Sequence, residues 1–190
     1  MMGKVFFHHF GKKESLETAK YGLAQQLHSE ISALSRVIQN EASTSTDYIS
    51  LAAALALSYS AQCALLEKYS CAGNGKAPTT EGAAMQAQAV QGLKTVSDHI
   101  SEFLTQLMTV SPSAQDLDRI SPIVMDALYS AASNYAWMVR ESGDERSQMA
   151  LDLIRHSLGR LGGRWRNAAE YLRILEAQEF TYAVGSAGSS

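Results

Sequence analysis

Cysteine and proline are scarce in this sequence, and their scarcity excludes several classes of protein. Two cysteines among 190 residues, Cys63 and Cys71, cannot build a disulfide framework or a four-ligand zinc site. They are typical of reduced thiols in an intracellular protein, although the sequence also allows one disulfide bond between them. With 3 prolines, 13 glycines and 46% hydrophobic residues, the chain is neither collagen-like nor disordered, because it has enough apolar surface to form a core.

The sequence also has no excess of basic over acidic residues and no long hydrophobic run. Lys and Arg number 16 and Asp and Glu 19, so the net charge is -3 and the overall basic footprint of a nucleic-acid-binding protein is absent. No run of about eighteen consecutive apolar residues occurs, and we therefore expect no membrane-spanning helix. The short apolar stretch near the N-terminus contains His8 and His9 and is a poor secretory signal. These features predict an intracellular protein that contacts neither nucleic acid nor membranes directly.

Helix-forming residues, above all Ala, Leu, Gln, Glu and Met, dominate from Ser15 onward. Apolar positions recur every three or four residues, and strand alternation of useful length is missing apart from a short stretch at 4–8. We predict one all-α domain over 15–180, with about six helices in an irregular bundle or array. An N-terminal segment, 1–14, precedes this domain. A flexible Gly/Ser-rich tail, 181–190, follows it and is expected to be disordered.

Start and stop signals divide the domain into its helices. Ser121-Pro122 is the strongest start signal, a hydroxyl cap followed by a proline in the first helical position. Gly143-Asp144 is expected to end one helix and to cap the next. The predicted spans are about 15–41, 47–69, 79–110 and 122–141, a fifth helix from 144, and a sixth helix that carries residues 165–175; a linker with a helical turn lies at 114–120.

The first two helices differ in how their apolar residues are distributed. The second helix is apolar on nearly every face between Ile49 and Leu66, so it needs neighbours on several sides. The other five helices, two of them short, are too few to cover the second helix completely. We therefore expect exposed apolar surface, through which the chain self-associates as a homo-oligomer. The first helix instead has one apolar stripe, formed by Leu16, Leu23, Leu27, Ile31, Leu34 and Ile38.

Residues with catalytic or metal-binding chemistry lack the spacing that such sites require. His28, His99 and His156 are isolated, without the His-x-x-x-His or Glu-x-x-His spacing that directs two ligands to one ion. Cys63 lies in the apolar second helix, where a free cysteine behaves as a small hydrophobe. Neither a Gly-x-Ser-x-Gly elbow nor a phosphate-binding loop occurs. We therefore predict no catalytic, cofactor-binding or metal-binding residues, and a protein that is not an enzyme.

Several motifs follow one another in a defined order between Ile120 and Glu179. They are Ser-Pro at 121–122, an Ala-rich helix with a central Tyr at 127–132, and Arg-Trp-x-x-Ala-x-x-Tyr-Leu at 164–172. This order resembles the C-terminal end of the regulatory domain, or middle homology region, of fungal zinc-cluster transcription factors. The best match covers 120–179, and the preceding helices are similar in length and character but carry weaker motifs.

The resemblance implies a nuclear protein that controls transcription without catalysing a reaction. A regulatory helical segment of this kind would contact other parts of a transcription factor or transcriptional regulators. It would pass information from an effector, whose identity stays open, by shifting between helix packings. Four aromatic residues in or near the motifs are core candidates: Tyr129, Tyr135, Trp165 and Tyr171.

The chain departs from that family in two respects. It lacks the six-cysteine zinc cluster and the basic linker, so neither a zinc cofactor nor direct DNA binding carries over. The front half of the regulatory domain is missing too, and we expect the chain to be a fragment of such a domain. Two alternatives stay open: a stand-alone helical adaptor whose apolar grooves take a partner helix, and a helical small-molecule-binding protein with a pocket between helices.

Overall fold

A computed structural model describes residues 15–44, 48–71, 79–111 and 113–187. All regular secondary structure in these ranges is helical, which confirms the predicted all-α class. The predicted N-terminal segment, 1–14, and the connection at 72–78 lie outside the described residues. The helices are α1 (Ser15–Thr44), α2 (Tyr48–Ser70), α3 (Thr80–Val110), α4 (Ala114–Leu117), α5 (Ile123–Ser142), α6 (Glu145–Gly162) and α7 (Arg166–Ala187).

The junction between α5 and α6 is built as its sequence predicts. Gly143 ends α5 in the left-handed conformation, with φ 64°, and its N–H donates to the carbonyl of Val139. Asp144 then caps α6, because its carboxylate accepts a hydrogen bond from the N–H of Ser147 at 3.1 Å. The turn therefore closes one helix and opens the next within two residues, and it holds α5 against α6.

The start of α5 differs from the prediction. Pro122, and not Ser121, occupies the N-cap position, and no side chain caps the helix. Pro122 already has helical backbone angles, with φ -55° and ψ -25°. The carbonyl of Ser121 accepts from the N–H of Val124, so the backbone turns before a serine hydroxyl can reach a cap position.

The C-terminal helix is longer than predicted. We expected the disordered tail to begin at residue 181, but α7 is helical through Ala187. Once a helix is formed, each added residue gains a backbone hydrogen bond, so a helix can run on through weak helix formers. Residues 188–190 lie outside the described part of the chain.

The helix α2 is central to the packing. It contacts α1, α3 and α5, and α5 in turn contacts α3, α6 and α7. The main core lies between these helices, and its largest fully buried side chains include Tyr59, Phe103, Leu128 and Ile154. A smaller cluster joins α1 to α2 and to the start of α3; it consists of Ala24, Leu27, Ile31, Leu65 and Met85.

The helix α2 is long and apolar, and the fold buries it only in part. An 18-residue window of this helix has a mean hydropathy of 1.6, so α2 is long and apolar enough to cross a membrane by length and composition. We expected no such helix because no run of eighteen consecutive apolar residues occurs; serines and Gln62 interrupt the run in α2, yet its mean hydropathy still meets the criterion. Half of the window is buried inside the fold. A core helix of a soluble protein meets the same criterion.

Candidate functional site

Tyr135 is the buried member of the four aromatic core candidates. It lies on α5, is 2% exposed, and its hydroxyl donates a hydrogen bond to Asp98 Oδ1 on α3 at 2.8 Å. Burial, and then the hydrogen bond to the Asp98 carboxylate, raise the pKa of the Tyr135 hydroxyl. A neutral phenol that donates to a carboxylate ties α5 to α3, and its buried ring leaves no face on which a ligand could stack.

Tyr129 and Tyr171 meet at the edge of the main core. Their rings stack at 4.6 Å with an interplanar angle of 19°, which joins α5 to α7. The Tyr171 hydroxyl also donates to Asp126 Oδ1 at 2.5 Å, and this hydrogen bond is the main reason why the pKa of Tyr171 rises to about 12. Both rings are half-buried and pack against the main core. The motif at 127–132 therefore contacts the motif at 164–172.

Trp165 occupies the tight turn between α6 and α7. Its backbone N–H donates to the carbonyl of Leu161 at 2.8 Å, and its half-buried ring packs against the main core. The indole Nε1 is buried and has no hydrogen-bond partner among the described residues. In the same turn, Asn167 Nδ2 donates to the carbonyl of Pro122 at 3.2 Å, so the Ser-Pro motif also contacts the last motif.

Cys63, Ser97 and Asn134 come together where α2, α3 and α5 meet. Asn134 Nδ2 donates to Ser97 Oγ at 3.4 Å and lies 4.0 Å from Cys63 Sγ. Burial, with a smaller effect of Glu67, raises the pKa of the Cys63 thiol to about 12. The thiolate, which is the reactive form, is therefore negligible near neutral pH. Cys71 is a free, exposed cysteine.

A network of hydroxyl and amide groups lies between α1 and α2. Ser35 Oγ donates to Ser58 Oγ at 2.9 Å, and Gln62 Nε2 donates to Ser35 Oγ at 2.8 Å. Ser32 Oγ donates to Gln62 Oε1 at 3.0 Å. This network holds the register of the two helices, because a slip of one residue would leave buried polar groups without partners. Our sequence reasoning missed it, although serines at helical spacing within an apolar stripe were a usable signal.

The outer side of the same helix pair exposes large apolar side chains. Leu34 is 45% exposed, Val37 65% and Leu57 42%. Ala54 and Ala64 are exposed as well. Together these five residues form what we call the open face. The placement of Leu34 corrects its assignment to the apolar stripe of the first helix, because Ser35 takes the position that faces α2.

Groups that could bind a metal ion do not cluster in the part of the chain that the structure describes. No three side chains of His, Cys, Asp or Glu come close enough there to hold an ion. His28 is half-buried, and burial lowers its pKa, which favours the neutral imidazole. His99 lies with its ring 6.3 Å from that of Tyr59, where it takes part in packing between α2 and α3.

No protein-family model matches the chain, and neither a curated protein nor a solved structure matches it. The resemblance to the regulatory domain of fungal zinc-cluster transcription factors therefore rests on the order and spacing of the motifs over 120–179.

Proposed function

We propose that this chain is a non-enzymatic helical module that regulates transcription through contacts with other proteins. The observation that carries this proposal is the ordered set of motifs over 120–179. The structure supports it because the segments at 121–122 and 127–132 each contact the last motif, through Asn167 with Pro122 and through Tyr129 with Tyr171. Residues that are far apart in the motif pattern thus belong to one packed unit.

The open face supports action through protein contacts. Three large apolar side chains, Leu34, Val37 and Leu57, are exposed on neighbouring helices. Single exposed apolar residues are ordinary, but a group of them on one helix pair is typical of a surface that takes a partner. An amphipathic helix is the usual partner of an apolar surface between two helices.

The chemistry of the described residues supports binding over catalysis. The buried nucleophile, Cys63, is held as a thiol. Neighbouring Ser97 and Asn134 could orient a general base, but the described part of this cluster contains no imidazole or carboxylate at hydrogen-bond distance. The three residues instead satisfy one another at a crossing of three helices.

A tethering experiment tests the proposal. The chain is fused to an unrelated DNA-binding domain and expressed in a fungal host that carries a reporter gene with the matching DNA site. We expect transcription of the reporter to change relative to the DNA-binding domain alone, since the chain would bring its partners to the promoter. Unchanged transcription, with the fusion present in the nucleus and folded, would contradict the proposal.

A stand-alone helical adaptor is the second candidate function. The open face favours it on its own, because an apolar surface on a helix pair needs no transcriptional context. The two candidates differ in the tethering experiment. An adaptor unconnected with transcription would leave the reporter unchanged, while substitutions on the open face would still alter the protein's association in solution.

A further inference from the structure

The exposed side of α2 has the spacing of a coiled-coil seam. Ser50, Ala54, Leu57, Ala61 and Ala64 follow one another at steps of four, three, four and three residues. Four of them are exposed, and Ala61 is half-buried at the border of the seam, where it also packs against the smaller cluster between α1 and α2. Steps that alternate between three and four keep residues on one line along a helix and are the pattern through which two helices pair along their length. We call this line the α2 seam.

The α2 seam lies in a long uncharged stretch. From Tyr48 to Leu66, α2 contains no Asp, Glu, Lys, Arg or His. In a two-fold dimer, each surface meets a copy of itself, so any single-sign charge near the axis meets a like charge. The α2 seam has none, and a second copy of this chain can therefore approach it without electrostatic repulsion.

The sizes of the seam residues are symmetric about Leu57. Antiparallel pairing of two α2 helices about Leu57 places that residue opposite its own copy, Ala54 close to Ala61, and Ser50 opposite Ala64. Small residues then face small residues on both sides of one central leucine pair. Small side chains let helix axes approach closely, at the lower end of the usual 8–10 Å range. The seam is thus complementary to itself, as an isologous interface requires.

Leu34 extends this surface onto α1. Ser35 and Ser58 are hydrogen-bonded between the two helices, and Leu34 and Leu57 each lie one residue earlier. One residue turns a helix by about 100°, and for antiparallel neighbours this places both leucines on the same side of the pair. Two helices side by side offer a surface of about 30 Å by about 20 Å. That area, roughly 600 Å², is slightly below the roughly 800 Å² per partner of an ordinary specific interface.

We infer that two copies of this chain pair through the α2 seam, antiparallel and two-fold, with Leu57 at the axis. The size of the surface predicts a concentration-dependent dimer. Large exposed side chains of α1, above all Leu34, flank the paired helices. The inference rests on the geometry of α2 and names a second copy of this chain as the occupant of the α2 part of the open face.

Sedimentation velocity of the full chain, from about 1 µM to about 100 µM, tests the dimer over the affinity range expected of so small an interface. The parent protein should shift from monomer to dimer with rising concentration. Leu57→Arg should remain monomeric, because two guanidinium groups would meet at the axis. Met149→Arg is the matched control: Met149 is 67% exposed, lies on α6 and should leave dimerisation unchanged. Helical circular dichroism shows whether each variant folds.

A mixing experiment distinguishes two-fold pairing about Leu57 from other modes of association. Leu57→Arg and Leu57→Glu should each be monomeric alone and should form a heterodimer when mixed, because the opposite charges then meet across the axis. A parent protein that is monomeric at every concentration would overturn the inference. So would dimers that persist in Leu57→Arg, or a mixture that fails to associate. Binding of the parent to neutral phospholipid vesicles, lost in Leu57→Arg, would assign the α2 seam to a membrane and would overturn it too.

Discussion

At the scale of single residues, the tyrosine hydroxyls respond most strongly to their surroundings. Burial raises the pKa of Tyr59 and of Tyr69 to about 12, and the hydrogen bond to Asp126 does the same for Tyr171. The pKa values of Tyr48 and Tyr135 rise further, because burial disfavours the tyrosinate form. An ordinary tyrosine has a pKa of about 10. The native fold therefore favours the neutral phenols.

These shifts predict loss of stability in alkali. A folded pKa that exceeds the unfolded one contributes stability fully below pH about 10, and this contribution is lost as the pH rises through about 12. In an alkaline titration, we expect the tyrosinate absorbance of the native protein to appear at a higher pH than that of the protein unfolded in urea. It should appear together with a cooperative loss of helical circular dichroism. Ionisation of all tyrosines near pH 10, with the helical signal intact, would contradict the burial of these hydroxyls.

Gly162 lies where α6 and α7 approach each other closely. A Cβ at this position would lie 3.3 Å from the backbone N and Cα of Ala169, which cannot move aside as a flexible side chain can. We expect Gly162→Ala to lower the free energy of unfolding by about 1–3 kcal/mol, as overpacking does elsewhere. Urea denaturation followed by circular dichroism measures the change.

Gly22 provides the matched control. It lies within α1, and a Cβ there would meet nothing within 4 Å. Gly22→Ala should therefore raise the stability by about 0.5–1 kcal/mol, because alanine loses less conformational freedom in a helix interior. Equal effects of the two substitutions would show that the turn at Gly162 is looser than the distances indicate.

At the scale of secondary-structure elements, the polar network holds α1 on α2. Ser35 is 4% exposed and links Ser58 to Gln62. Its removal leaves the buried Gln62 Nε2 with only a long hydrogen bond, 3.5 Å, to the carbonyl of Ser58, so Ser35→Ala should cost about 1–3 kcal/mol in the free energy of unfolding. Ser43→Ala is the control, because Ser43 is exposed and its hydroxyl donates to the carbonyl of Gln39 in its own helix. A loss no larger than that of the control would show that the network contributes little.

The spans of the helices could be predicted from the sequence, while the contacts between them could not. Helical periodicity and caps such as Asp144 depend on residues that are close together in the sequence, so they can be predicted from a short stretch of it. The direction of a side chain within a broad apolar stripe depends instead on where the neighbouring helix lies. Leu34 shares the spacing of Leu27 and Ile31, yet it is displaced from the interface by Ser35, whose partners are far along the chain.

The aromatic motif residues show the same division. Tyr135 is buried where its helical spacing places it, but its partner Asp98 lies 37 positions earlier and carries no sequence signal. Tyr129 and Tyr171 contact each other although no periodicity relates α5 to α7. A single sequence predicts which residues are apolar and helical, and tertiary packing decides which of them meet.

At the scale of the whole molecule, the two cysteines report on whether the core is closed. Cys63 is buried and its thiol has a raised pKa, whereas Cys71 is exposed. A thiol reagent at neutral pH should label Cys71 rapidly and Cys63 only as fast as the fold opens, because reaction requires an accessible thiolate. The variant Cys71→Ser isolates the slow reaction. Rapid labelling of Cys63 in folded protein would mean that the meeting point of α2, α3 and α5 is open.

The incomplete cover of α2 connects the fold to the proposed function. The helices α1, α3 and α5 pack against α2, and the open face consists of its exposed residues Ala54, Leu57 and Ala64 together with Leu34 and Val37 of α1. A chain that closed all its apolar surfaces would have little with which to recruit a partner. The exposed leucines are thus the feature of the whole molecule on which action through protein contacts depends.

The tethered reporter, measured with two variants on opposite parts of the molecule, tests this account most directly. Leu57→Arg alters the open face, and Met149→Arg places the same charge on α6, at a residue that is also exposed. We predict that the parent fusion changes transcription, that Leu57→Arg abolishes the change, and that Met149→Arg preserves it, with equal amounts of folded protein in the nucleus. A reporter that does not respond to the parent, or that responds equally to all three proteins, would contradict regulation through the open face.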